Sequence, residues 1–252
     1  MVSVFSPVAQ MRPEEYKRVT EVTYLGYVYG TMAALRRMTP RNRGHIVQVG
    51  SALAYRSITL QSAYCAAKHA IVGFTDSLRC ELYHDHSDIS LTCVQMPALN
   101  TTQFNWVLSR LPRKPQPVPP IFQPEVGARA VYYAAHHNRR ELWVGTPSIV
   151  AILAQMFIPG LVDRYLGSTG YDSQQYDGAA DPNRPNNIWK PVKGAHRTHG
   201  DFDSRAHEHS PQLWLDMNRW TALPTAAGLL AGAFALSRRT NDKQSASEVQ
   251  AA

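Results

Sequence analysis

Tyr64 and Lys68 are the pair of side chains whose types and spacing could do chemistry together. They lie four residues apart, so on a helix they leave the same face one turn from each other. A phenol titrates at about pH 10 and is a poor acid or base near neutrality unless a cation stabilises its phenolate. An ammonium one turn away does that, which makes Tyr64 a candidate proton donor or acceptor. Ser51 precedes them, and its hydroxyl could hold the oxygen that gains or loses the proton. The Tyr-x-x-x-Lys spacing alone is weak, because a chain with 12 tyrosines supplies it readily by chance. The setting gives it weight.

That setting is a strand, a loop and a helix in order. His45-Ile46-Val47-Gln48-Val49 is a short apolar run after the turn Arg41-Asn42-Arg43-Gly44, as a buried strand would be, and Gly50-Ser51 ends it. After a loop, Ala67, Ile71, Phe74, Leu78 and Leu82 form one apolar stripe at helical spacing, and Tyr64 and Lys68 open that helix. Ser51, at the carboxyl end of the strand, is placed to meet both. Upstream, Pro13-Glu14-Glu15 suits a helix start. Apolar Val19, Val22, Leu25, Val28, Met32 and Leu35 predict that the helix runs to about Met38. Downstream, Ile89 to Met96 reads as a strand stopped by Pro97, Glu125 to Ala135 as a helix, and Leu142-Trp143-Val144-Gly145 as a last strand.

Val49-Gly50-Ser51, Ser62-Ala63-Tyr64-Cys65-Ala66-Ala67-Lys68-His69-Ala70 and Gly73-Phe74-Thr75-Asp76-Ser77-Leu78-Arg79 together resemble the active-site segment of the short-chain dehydrogenases/reductases. The resemblance covers about residues 1 to 150. It implies an α/β, Rossmann-like parallel sheet with flanking helices and NAD or NADP as cofactor. It implies a carbonyl or secondary alcohol as substrate, with Tyr64 as acid/base and Ser51 orienting the substrate oxygen. Lys68 would lower the Tyr64 pKa and bind the nicotinamide ribose, so Tyr64 and Lys68 also count as cofactor-binding. Pro97, Thr101 and Thr102 are carried over to the nicotinamide end of the cofactor, although Ala98 stands where the family has Gly. Thr23 stands where the family has an Asn thought to hold a proton-relay water. A threonine in a helix tends to bond the carbonyl three or four residues back instead.

Dinucleotide folds open with a strand, a Gly-rich turn and a helix whose N-terminus takes the pyrophosphate. The glycines before Ser51 are Gly26, Gly30, Gly44 and Gly50, and none of them reads as such a turn. The expectation is therefore a chain that begins after the family's fourth strand, through a late-assigned start or a truncated gene, with a distant relative that never needed the first half as the less favoured alternative. Such a chain should bind the nucleotide weakly.

Three stretches are expected: 1–147 as the catalytic half of the Rossmann fold, 148–219 as a loop-rich extension, and 220–252 as an apolar helix and tail. Residues 103–124 hold Pro112, Pro115, Pro117, Pro119, Pro120 and Pro124. They suit either a polyproline-like surface loop or the family's substrate-covering segment, with Phe104, Trp106 and Val107 lining a pocket. Ile149 to Leu166 reads as helix broken at Pro159-Gly160, and 167–211 as an aperiodic solvated loop. His196, His199, His207 and His209 lie near Asp201, Asp203 and Glu208 but match no standard metal spacing, so no metal is expected. Residues 221–236 are uncharged and precede Arg238-Arg239. They suit a short membrane anchor through 220–239 or a buried or dimer-forming helix.

The formal charge of +7 comes from scattered arginines, and no nucleic-acid module is visible. Cys65, Cys80 and Cys93 lack disulfide or metal spacing, which points to a reducing, cytoplasmic setting with membrane association left open. Three functional classes follow: an NAD(P)-dependent oxidoreductase, a non-catalytic relic or partner subunit of the family, and a membrane-tethered scaffold. The first is favoured because Ser51, Tyr64 and Lys68 are all intact. The family's two long helices pair between subunits, so a homo-oligomer is also expected.

Overall fold

The computed structural model describes residues 1–181, 183–194, 196–222 and 224. In chain order the elements are β1 (Val4–Phe5), α1 (Pro13–Val19), a wider π turn (Thr20–Leu25), α2 (Gly26–Met38), β2 (Gly44–Val49), α3 (Ser62–His84) and β3 (Ile89–Gln95). Then come α4 (Gln103–Trp106), β4 (Leu108–Ser109), β5 (Arg113–Pro115), β6 (Ile121–Phe122), α5 (Pro124–His136) and β7 (Glu141–Trp143). The last are α6 (Thr146–Phe157), α7 (Pro159–Ser173), β8 (Gln175–Ala179), β9 (Ala206–His207) and α8 (Pro211–Met217). The chain divides into two compact units, Met1–Pro211 and Gln212–Ala252.

The central sheet has three parallel strands in the order β2-β3-β7, with Ile46 opposite Leu91 and Cys93 opposite Glu141. Nearly every residue of β3 is buried, as a parallel strand covered on both faces requires. Ile46, Leu91 and Ile89 pack against Leu78 and Leu82 of α3, so the apolar stripe read from the sequence is the face laid on the sheet. A second core joins Val2, Val4, Val19, Ala63 and Ala67 to Ile188.

The helical segment before β2 runs as expected from Pro13 to Met38, and Val19, Val22 and Leu35 of the expected stripe pack into the two cores. Val19, Thr23 and Thr31 are buried, whereas Met32 is 47% exposed. The π turn adds a residue to one turn and so shifts the face that follows it. The buried stripe is mostly polar, and each group has a partner. Thr23 bonds Val2, Tyr27 bonds Thr75 at 2.7 Å, and Thr31 accepts from Gln48 at 2.6 Å. At the start of α1, Glu15 accepts from the Arg12 backbone N–H at 3.0 Å and pairs with Arg110 at 2.6 Å, although its carboxylate is fully buried.

Residues 149–166 are helical with the expected break at Pro159: α6 and α7 meet at Ile158, the residue before that proline, where α geometry is disfavoured. The stretch 167–211 is not a solvated loop throughout. Gln174, Ile188 and Phe202 are buried, β8 pairs with β5, and β9 pairs with β6. Single anchors spaced widely along a chain leave no period to read. Residues 103–124 likewise form α4, β4, β5 and β6, with Val107 and Leu111 in a core beside Phe5 and Leu60. Among the described residues, no helix is long and apolar enough to cross a membrane. Most of the segment expected as an apolar helix, 223 and 225–252, lies outside the described residues.

Candidate active site

The carboxyl end of β2 and the first turns of α3 bring Ser51, Tyr64 and Lys68 together. Strand β2 ends where Gly50 N–H donates to Val94 O at 2.8 Å and Ala52 N–H to Met96 O at 3.0 Å, which carries the strand pairing past Ser51. Ser51 has ordinary extended backbone, and its hydroxyl accepts from Leu53 N–H at 3.1 Å, capping the short turn Ala52–Ala54. At the far end of the loop, Tyr16 and Ser62 share a 2.6 Å hydroxyl contact at the start of α3. Tyr64 and Lys68 then project from one face of that helix.

All three side chains are buried: Ser51 and Tyr64 are each 8% exposed and Lys68 6%. The Ser51 side chain is the polar group that acts on the Tyr64 phenol. Lys68 Nζ lies 5.6 Å from the Tyr64 ring centroid and donates to Val49 O at 2.9 Å. Burial pushes the Tyr64 phenol well above its usual range, with Ser51 opposing. Burial also lowers the Lys68 ammonium to about 8, with Cys93 opposing. The phenol is thus held neutral, as a proton donor, beside a cation that sits close to losing its own proton. The resemblance implied a lowered phenol; here desolvation outweighs everything else.

The other residues singled out from the sequence lie at the end of the neighbouring strand. Pro97 follows β3, Thr101 N–H donates to Leu99 O at 2.9 Å, and Thr102 precedes α4. The turn they form is locked by a residue the sequence reading passed over. Asn100 is fully buried and donates to Gln123 Oε1 at 3.0 Å and Asp203 Oδ1 at 2.7 Å. It accepts from Phe202 N–H at 3.1 Å and from Gly200 N–H at 3.1 Å. Gly200 fits there because a Cβ would stand 2.6 Å from Thr101 O. No local signal in the sequence pairs positions a hundred apart.

Phe104 packs edge-on to both Phe5 and Phe202, with ring centroids 6.1 Å apart in each case, and Trp106 meets His196 at 5.3 Å. Two cavities lie along this segment, of about 210 and 380 Å³, and share Asp181 and Arg184. Neither is lined by Ser51, Tyr64 or Lys68. His199 is engaged by Glu125 at 2.8 Å and Asp203 at 3.1 Å. Among the described residues, no group of three His, Cys, Asp or Glu side chains is arranged to hold a metal.

A family model described as short chain dehydrogenase matches residues 2–110. An uncharacterized oxidoreductase of Bacillus subtilis, YxnA, is 31% identical over 198 residues, covering 77% of this chain and 55% of the relative. Rat 17-beta-hydroxysteroid dehydrogenase 13 is 30% identical over 149 residues, 59% of this chain and 47% of the relative. The chain therefore spans about half the length of these curated relatives. Two solved structures share the fold. A short-chain dehydrogenase from Burkholderia cenocepacia in complex with NADP gives a TM-score of 0.52 at 21% identity, covering 66% of this chain and 65% of that one. One from Streptomyces avermitilis gives 0.51 at 19% identity, covering 68% and 67%.

Proposed function

The chain belongs to the short-chain dehydrogenase/reductase family, and from that premise we propose that it is an oxidoreductase interconverting a carbonyl and a secondary alcohol with NAD or NADP. The observation that carries this reading is the burial of Ser51, Tyr64 and Lys68 together at one end of the sheet, with the Lys68 ammonium beside the Tyr64 ring. In the reductive direction Ser51 holds the substrate oxygen and Tyr64 donates the proton to it. In the oxidative direction Tyr64 takes the proton back. Lys68 offsets the phenolate charge that remains after donation.

The nicotinamide end of a nucleotide fits this chain. Lys68 spends one of its three N–H donors on Val49 O and has two left for the ribose hydroxyls. The family resemblance assigns Pro97 to the nicotinamide end and either Thr101 or Thr102 to the carboxamide. A nicotinamide bound here supplies or accepts the hydride, and proton transfer and orientation fall to Tyr64 and Ser51.

The test is oxidation of NADH or NADPH, supplied at millimolar concentration, with benzaldehyde and cyclohexanone as probe substrates. Tyr64→Phe is expected to lose roughly 100-fold or more of the rate, as removal of an acid/base group does. A Tyr64→Phe protein that keeps above about a tenth of the parent rate removes Tyr64 from the role. A folded parent chain with no turnover on either nucleotide favours a non-catalytic partner of the family.

A further inference from the structure

Ser51 is reached from behind by a second polar assembly, part-buried and centred on the buried Gln95. Gln95, the last residue of β3, is 0% exposed, and its Oε1 accepts from the Ser51 backbone N–H at 2.8 Å. The same amide donates through Nε2 to Glu141 Oε1 at 3.4 Å and to Cys93 Sγ at 3.2 Å. These contacts fix which way the amide points, because its oxygen must face a donor and its nitrogen two acceptors. Glu141, the first residue of β7, also accepts from Tyr55 OH at 2.6 Å and from Trp143 Nε1 at 2.7 Å. Tyr55 closes the turn that Ser51 opens. One carboxylate thus holds both ends of the Ser51–Tyr55 turn, the front through Gln95 and the back directly. Gly50 makes the room: a Cβ there would stand 2.2 Å from Gln95 Oε1.

We propose that Glu141 and Gln95 are positioning residues that fix the Ser51 turn so that its hydroxyl meets Tyr64. The inference rests on reading Ser51 and Tyr64 as the proton-transfer pair. A carboxylate is suited to the task because three donors converge on it and it offers only acceptors. An amide at 141 would turn a donor toward Tyr55, Trp143 or Gln95, so even this isosteric change breaks the assembly. Gln95→Met keeps the volume and removes the acceptor for Ser51.

The test does not depend on turnover. With tyrosine labelled by ¹³C at Cζ, the Tyr64 resonance, assigned through Tyr64→Phe, reports how the Ser51 side chain acts on the phenol. In Gln95→Met and Glu141→Gln this resonance is expected to move toward its position in Ser51→Ala. Other tyrosine signals, apart from Tyr55, should stay in place. A Tyr64 signal unmoved in both folded variants overturns the proposal. So does failure of both variants to fold, which would make the assembly a structural core only. Where turnover is found, kcat should fall about 10- to 100-fold in Gln95→Met, the scale of a small misplacement. The KM for the nucleotide should be unchanged. In a Ser51→Ala background Gln95→Met should cost nothing more, and a full independent loss there overturns the proposal. A folded parent chain without turnover favours the non-catalytic reading, while the tyrosine signal still decides this one.

Discussion

Lys68 shows at the scale of one residue how a site is kept at a cost. Its ammonium is buried with a single hydrogen bond to Val49 O, and burial lowers it from the ordinary lysine value to about 8. In the unfolded chain the same group titrates at about 10.4. Between those values the unfolded state binds more protons, so stability rises with pH across that window. Below it the full penalty stands, on the order of 3 kcal/mol at about 1.4 kcal/mol per pH unit. Lys68→Met removes the titration. Its stability relative to the parent, measured by urea unfolding, is therefore expected to be highest near pH 7 and to drop by about 3 kcal/mol by pH 11. A difference that stays flat across that range would show that Lys68 is solvated. The types and spacing of Ser51, Tyr64 and Lys68 were legible in the sequence because four-residue spacing on a helix is a local property. The sense of the Tyr64 shift was not, because desolvation depends on what the rest of the chain lays over the phenol.

The helix pair α1–α2 makes the same point at the scale of an element. Its extent was legible, since Pro13 and the acids after it start a helix wherever they fall. Its inward face was legible only in part: Val19, Val22 and Leu35 pack into the cores as the apolar stripe implies, whereas Met32 is exposed and the buried Thr23 and Thr31 carry no apolar signal. Thr23 sits in the π turn at Thr20–Leu25, and its hydroxyl is not spent on its own helix. It donates to Val2 O at 3.0 Å and accepts from Val2 N–H at 3.3 Å, in a buried setting. Those two bonds occupy the hydroxyl, which supports no proton-relay role for it. Thr23→Val keeps the shape and leaves both backbone groups of Val2 without a partner. The expected cost is about 1–3 kcal/mol for each unsatisfied group, read by denaturant unfolding, with little change in any turnover. A neutral effect on stability would mean that water reaches Val2.

At the scale of the whole molecule, the segment after α7 is bound to the sheet end through the turn that follows β3. Asn100 and Gln123 hold Asp203, and His199 bridges Asp203 to Glu125 at the start of α5. This was the part least legible in the sequence. Histidines and acids in an aperiodic stretch look alike whether they are solvated or clasped, and the partners Asn100 and Glu125 lie far away along the chain. The clasp is ionisable, and its signs are definite. Hydrogen bonding to Glu125, then the charges of Glu125 and Asp203, raise His199. Hydrogen bonding from His199 lowers Glu125, and hydrogen bonding from Gln123, then the His199 charge, lowers Asp203. The raised histidine contributes stability that is present below its unfolded value and lost as pH climbs through its folded one. The lowered carboxylates contribute stability that is lost as pH falls through theirs. The clasp should therefore be tightest between the carboxylate range and the raised histidine. The Gly200 and Phe202 amides, both bonded to Asn100, report it. Their hydrogen-exchange protection, corrected for intrinsic rates, should be greater near pH 6 than near pH 9 in the parent chain. In His199→Gln that difference should vanish. Protection that is equal at the two pH values in the parent, or a difference that survives in His199→Gln, would show that Asn100 alone holds the segment down.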